Sequence, residues 1–280
     1  MPAERLTIMT VFRAYTVTVI AACLLVALSG CARQQKNKLV VGASPAPHAE
    51  ILERARPLLL RKGIELEVRV FSDYVTPNLA LGDGSLDANF FQHRPYLEAF
   101  EASRHMGIVS VGQVHFEPLG LYSRKIKNIR ELKDGDRIAV PSDVSNEARA
   151  LALLEESGVL TLKSGVKLTA TKRDIAATRV AVEIVELDAA QIPRALNDVT
   201  AAVINGNYAL DAHLHPTRDA LAIERADSPA ARTYANIVAA LGRNANRTEI
   251  RELVAALQSP EIQAFITTRY QGAVVPVAPK

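Results

Sequence analysis

The chain has 280 residues, 49% of them hydrophobic, 22% charged and 5% aromatic, with no Trp. This composition supports an ordinary globular core and excludes a disordered or fibrous chain. The net charge of +3 is spread over 33 basic and 30 acidic residues with no basic stripe of the kind that tracks a phosphate backbone, so no nucleic-acid partner is expected. The only two cysteines, Cys23 and Cys31, fall near the start, which excludes thiol chemistry and disulfides further along.

Residues 14–28 form an apolar run that follows Arg5 and Arg13 and ends in Ser29 and Gly30. The run is shorter than the roughly 20 residues a spanning helix needs, and it reads as a signal peptide over residues 1–30, with Met9 as an alternative start. The stretch Leu28-Ser-Gly-Cys31 resembles the bacterial lipobox. That resemblance implies cleavage before Cys31 and lipidation of its side chain and amino group, which anchors a protein to a membrane without spanning it. Residues 31–37 then read as a polar tether.

From residue 38 the pattern alternates between strand and helix. A β-rich run at 38–43 precedes an amphipathic helix over 46–62, in which Pro57 is expected to kink or shorten the second half. A strand at 65–70, a short helix after Pro77, a strand at 87–91, a helix at 95–103 and a strand at 108–114 follow. A second set comprises a strand at 137–140, a helix at 148–156, a strand at 182–187, a helix at 189–196 and a strand at 200–204. The tail adds a strand at 236–240 and helices at 248–257 and 260–269. Such alternation predicts parallel sheets flanked by helices, in two α/β units.

Three places could carry chemistry. Six of the fourteen Phe and Tyr fall between residues 71 and 100, as Phe71, Tyr74, Phe90, Phe91, Tyr96 and Phe100. They read either as ordinary core or as the wall of an apolar pocket, to which His93, three residues before Tyr96, would add a polar edge. The segment 141–149 follows a strand and opens a helix with cap candidates Ser145 and Asn146. Arg149, placed in the first turn, pairs either with a nearby carboxylate such as Glu147 or Asp143 or with an anionic ligand shared with the free amides. Asn205 closes a strand, where α/β folds hold ligands, but Asn205-Gly206 is equally a turn signal. His213 and His215 lack the partners of a metal signature, no metal or cofactor is expected, and no nucleophile, phosphate loop or acid–base pair stands out, so an enzyme is not expected.

Several collinear segments carry a more specific signal: Pro47-His-Ala-Glu50, Phe71-Ser-Asp-Tyr74-Val-Thr-Pro-Asn78, Leu86-Asp-Ala-Asn89, Phe91-Gln-His93-Arg-Pro-Tyr96, Tyr122-Ser-Arg-Lys-Ile126, Ser145-Asn-Glu-Ala-Arg149, Ala190-Gln-Ile-Pro-Arg194-Ala-Leu196 and Ala202-Val-Ile-Asn205. Together they resemble the NlpA-type lipoproteins, the methionine-binding proteins of methionine ABC transporters. The resemblance implies a type 2 periplasmic-binding-protein fold of two α/β lobes, residues 38–118 with 206–280 and residues 119–205, joined near 117–121 and 204–208. It further implies a cleft in which Tyr74, Phe91, His93 and Tyr96 receive the ligand's side chain, Arg149 meets its carboxylate, Asn146 and Asn205 hold the head group, and Asn89 supports the hinge side. The implied partners are methionine, a permease and ATPase complex, and a membrane reached through the lipid on Cys31. Phe90, Glu147 and the segment Asn205-Gly206-Asn207 depart from the family pattern. Another apolar amino acid, a methionine-containing dipeptide, or an adhesion or signalling role on the same fold are the alternatives.

Overall fold

The computed structural model describes residues 37–166 and 168–277. The expected signal segment and Cys31 lie outside them, and Asn37, assigned by the sequence to the tether, already opens the first strand. Among the described residues no helix is long and apolar enough to cross a membrane. The chain begins with β1 (Asn37–Ala43), α1 (Glu50–Arg61), β2 (Ile64–Val70), α2 (Thr76–Gly82), β3 (Ala88–His93), α3 (Arg94–Arg104) and β4 (Ile108–Phe116). Next come β5 (Gly120–Tyr122), β6 (Arg137–Pro141), α4 (Val144–Glu156), β7 (Leu160–Leu162), β8 (Ile175–Thr178), β9 (Glu183–Leu187), α5 (Ile192–Ala195), β10 (Ala201–Ile204), α6 (Gly206–Asp211), α7 (Pro216–Asp219) and β11 (Ala220–Ile223). The tail supplies α8 (Pro229–Thr233), β12 (Asn236–Leu241), α9 (Thr248–Leu257), α10 (Pro260–Tyr270) and β13 (Val275–Pro276).

The strands form two main sheets, ordered β13-β4-β12-β3-β1-β2 and β11-β5-β10-β6-β9, with β7 and β8 as a separate pair. Each sheet has its own core. Leu39, Val41, Ile51, Leu59 and Phe90 meet Ile250, Leu253 and Ile266 in the first. Leu119, Leu121, Ile138 and Val140 meet Leu151, Leu154 and Val203 in the second. This is the two-lobed α/β fold that the sequence implied.

Local chemistry explains the elements. In α1 the buried residues Ile51, Leu52, Ala55 and Leu59 recur at helical spacing and make one apolar stripe. Pro57 lies inside this helix, which nevertheless runs on to Arg61, so the expected shortening does not occur. The helix starts later than expected instead, because Ala46 has extended backbone angles (φ −119°, ψ 144°) and residues 45–49 form a separate turn. Every residue of β3 and of β12 is buried, as befits central strands covered on both faces.

The sheets are mixed rather than parallel. β1 pairs with β3 and β6 pairs with β9 and β10 in parallel, as strand–helix–strand units do. β12, however, runs antiparallel to both of its neighbours, β3 and β4. It enters the first sheet from the other lobe, so no crossover helix forces it parallel. Assigned by strands, the chain enters the second sheet between β4 and β5 and returns between β11 and β12. β11 thus joins the second sheet, although the sequence places all of 206–280 with the first lobe. At 204–208 the chain passes into α6, which packs on the 45–49 turn of the first lobe, before β11 returns to the second sheet.

Separate cores make separate responses to mutation. Leu121 is fully buried in the second core, and Leu121→Ala is expected to cost about 2–5 kcal/mol. Hydrogen exchange should then show lost protection in β5, β6 and β10, with β1 and β3 still protected.

Candidate functional site

Between the lobes lies a narrow cavity lined by Tyr74, Phe91, Gln92, His93, Tyr96, Glu117, Asn146, Arg149, Asn205, Gly206, Asn207 and Asn236. Seven of the eight residues singled out from the sequence therefore come together. Asn89 does not line it: its side-chain amide donates to Asn78 Oδ1 at 2.8 Å and its Oδ1 accepts from Gln92 Nε2 at 2.9 Å, one layer behind the wall.

The first lobe supplies an aromatic wall. Tyr74 stands 5.8 Å from Phe91 and 5.6 Å from Tyr96, ring centre to ring centre, in tilted and edge-on arrangements. Tyr96 opens the second half of the first turn of α3, where its backbone N–H donates to His93 Nδ1 at 3.2 Å, and its hydroxyl donates to the Tyr74 carbonyl at 3.0 Å. Phe71 and Phe100 belong instead to a core cluster, so the aromatic concentration in the sequence is part core and part site.

The second lobe supplies polar groups from the start of α4. Asp143, rather than Ser145 or Asn146, caps this helix, accepting from the Asn146 N–H at 3.1 Å. Its carboxylate also takes both contacts of Asn146 Nδ2 at 3.0 Å, which leaves Asn146 Oδ1 to face His93 Nε2 at 3.1 Å and Asn205 Nδ2 at 2.8 Å. The His93–Asn146 contact joins one lobe to the other across the cavity.

Arg149 departs from the local-carboxylate reading of its sequence neighbourhood. The helix begins at Val144, so Arg149 lies beyond the first turn and its place does not by itself imply an anion. Its partner is neither Glu147 nor Asp143 but Glu224, at 2.8 Å from Nε and 2.6 Å from Nη2, and Nη2 also donates to the Glu117 carbonyl at 2.8 Å. Burial alone would weaken its charge, yet Glu224 holds the guanidinium above its usual pKa. Tyr234 lies under the guanidinium, 4.4 Å from ring centre to Cζ.

Asn205 Oδ1 and Asn207 Nδ2 are buried without a hydrogen-bond partner among the described residues. Native proteins rarely leave such atoms unpaired, and both residues line the cavity. An unpaired acceptor, an unpaired donor and a cationic N–H beside an aromatic wall suit a small molecule with a polar, doubly charged end and an apolar tail.

The sequence of the chain matches the NlpA lipoprotein family over residues 39–278. The chain belongs to that family. It is 40% identical to the probable D-methionine-binding lipoprotein MetQ of Vibrio cholerae, across 92% of this chain and 96% of that protein. It is 39% identical to the methionine-binding lipoprotein MetQ of Bacillus subtilis, across 93% and 94% of the two chains. Its fold is similar to that of a nutrient-binding protein from Burkholderia cenocepacia bound to methionine, with TM-score 0.81 and 43% identity over 85% of this chain and 99% of that one.

Of the three departures expected from the sequence, only the segment Asn205-Gly206-Asn207 lines the cavity. Phe90 is fully buried, edge-on to His48 with ring centres 4.7 Å apart, and Glu147 accepts from the Lys172 N–H at 2.8 Å. Sequence reasoning missed Glu117, Gln92 and Asn236 in the cavity, and Glu224 behind it. Glu117 sits in the passage between lobes that the resemblance had marked, which could have drawn attention to it; Asn236 merely opens a strand, and nothing local distinguishes it.

Three histidines here are wholly buried, and burial pulls His48 down to about 4 and His93 and His115 down to about 3. Each therefore stays neutral in the folded protein at pH values where the unfolded chain, with its histidines near 6.5, takes up protons. Stability is expected to be full above about pH 6.5 and to fall below it, by roughly 2 kcal/mol per histidine at pH 5. Urea denaturation at pH 7, 6 and 5 measures this, and a flat midpoint across the series would contradict it.

Proposed function

We propose that the chain is the substrate-binding lipoprotein of an ABC importer. It captures methionine, L or D, in the cleft between its lobes and presents it to a permease and ATPase complex. The observation that carries this reading is the unpaired Asn205 Oδ1 and Asn207 Nδ2 in one cavity with Arg149 and the Tyr74–Phe91–Tyr96 wall. Arg149 meets the carboxylate in a charge-assisted hydrogen bond, Asn146 and Asn205 hold the head group, and the thioether chain lies among the aromatic rings, where sulfur packs favourably. The names of the relatives support methionine as the ligand. In this reading no step is catalytic, no cofactor takes part, and the lipid on Cys31 holds the protein on the periplasmic side of a membrane. The lobes are residues 38–118 with most of 206–280, and residues 119–205 with β11.

The test is a calorimetric titration of the unfolded and refolded body, residues 38–280, a single compact unit, with L- and D-methionine, other amino acids and methionine dipeptides. Saturable methionine binding is expected. Arg149→Lys, which keeps the charge and loses the planar fork, should weaken it about 100-fold. Preference for another panel member would keep the transport role and shift the ligand, with Asn207 as the residue to examine. Silence across the panel would overturn transport in favour of adhesion or signalling.

A further inference from the structure

Asn205-Gly206 is the only Asn-Gly pair in the chain. In such a pair the glycine nitrogen can attack the asparagine side-chain amide, because no Cβ shields its approach. A larger residue after the asparagine would slow that attack, and the fold forbids one here. A Cβ at Gly206 would fall 2.7 Å from the Glu117 Cβ and 2.9 Å from its Oε2. Glu117 is buried and held from behind, with His115 Nε2 2.7 Å and His48 Nε2 3.2 Å from Oε1, so it has no room to retreat.

The local geometry leaves the reacting groups available. Asn205 is the N-cap of α6 and Gly206 its first residue, so the Gly206 N–H is one of the donors that a helix leaves without an intrahelical partner. The Asn205 side chain makes no capping bond. Its Oδ1 is buried without a partner among the described residues, and its Nδ2 is held by the 2.8 Å bond to Asn146 Oδ1. Asn146 stands on α4 of the second lobe, and its other neighbour, His93, ends β3 of the first. The hold on the amide is therefore part of the network that spans the cleft, and it lasts while the lobes are together.

We propose that Asn205 is a site of spontaneous deamidation, protected while the cleft is closed and open to reaction when the lobes part. The Gly206 nitrogen bonds to Asn205 Cγ, the Cγ–Nδ2 bond breaks, and the amide nitrogen leaves as ammonia with the proton from Gly206. Water, which an open cleft admits, then adds across one C–N bond of the cyclic imide and leaves an aspartate or an isoaspartate. The product carries an oxygen where Nδ2 donated to Asn146, so two acceptors face each other across a 2.8 Å contact. It also adds a negative charge to a cavity that Glu117 already lines. Aspartate caps a helix as well as asparagine does, so affinity falls while the fold persists. The pair is a clock on the binding site that runs in empty protein and stops in loaded protein. Protection by ligand rests on the amino-acid reading above, whereas the modification itself does not.

The test incubates the refolded body in warm, mildly alkaline buffer, alone and with methionine at about 100 times its Kd, while peptide mass spectrometry follows the conversion of each asparagine. Without methionine, Asn205 should convert faster than the exposed Asn197 and Asn246. With methionine the conversion should slow about 100-fold, the factor by which the free form is depleted. Asn146→Ala, which frees the amide, should convert faster than the parent. Asn205→Asp should keep the parent's thermal midpoint and lose methionine affinity about tenfold or more. Conversion of Asn205 no faster than that of Asn197 overturns the modification site. Undiminished conversion with methionine that calorimetry shows to be bound overturns the protection. If calorimetry finds no bound methionine, the amino-acid reading fails, and the methionine-free comparison still decides the site.

Discussion

The ion pair between Arg149 and Glu224 fixes the geometry on which the cleft depends. Both side chains are buried, at 4% and 6% exposure, so the pair carries a large desolvation cost. The cost is offset by fork-to-fork contact at 2.8 and 2.6 Å, by stacking on Tyr234, and by further bonds at each end. Those further bonds matter structurally: Arg149 Nη2 donates to the Glu117 carbonyl, and Glu224 Oε2 accepts from the Leu119 N–H at 2.8 Å. Glu117 and Leu119 lie in the outward passage between the sheets, and Glu224 opens the return passage. One guanidinium on α4 therefore ties both passages together at the floor of the cleft. Removing either partner would strand a buried charge, a loss of about 3–5 kcal/mol in comparable cases.

The same economy governs the neutral polar groups. Asn78, Asn89 and Gln92 form a buried amide ring beneath the wall, with contacts of 2.8 to 3.0 Å. Asp143, Asn146, His93 and Asn205 form a second network across the cavity mouth. Networks of this kind fix orientation more than they add stability. Their function here is to leave particular atoms over. Because Asn205 Nδ2 is committed to Asn146, its Oδ1 must face elsewhere, and because Tyr74 donates to Asn207 Oδ1, its Nδ2 is the atom that remains.

This division marks how far the sequence could be read. Strands, helices and the two-lobed plan follow from local patterns: the stripe of α1, the buried runs of β3 and β12, the cap at the head of α4. The aromatic wall was legible because Tyr74, Phe91 and Tyr96 lie within 23 residues of one another. The partner of Arg149 was not, since Glu224 is 75 residues away and every local carboxylate looked as suitable. His48 and Asn236 are 188 residues apart and meet only because β12 returns antiparallel into the first sheet. The parallel expectation failed for that reason too: periodicity reports which face of a strand is buried, and not the lobe from which the strand arrives.

The arrangement of groups also constrains how the cleft can work. The aromatic wall stands on the first lobe, in β3, α3 and the turn before α2, whereas Arg149 and Asn146 stand on α4 of the second. Among the described lining residues one direct hydrogen bond, His93 to Asn146, joins β3 to α4. A ligand stabilises a closed cleft only through interactions it makes there and not in an open one. A molecule with a charged head alone would satisfy the second lobe and the passages, and one with an apolar tail alone would touch the first. A molecule that carries both, at the right separation, gains from closure at both ends. Selectivity for the whole ligand then follows from the placement of the groups on two bodies, without any single contact having to be strong.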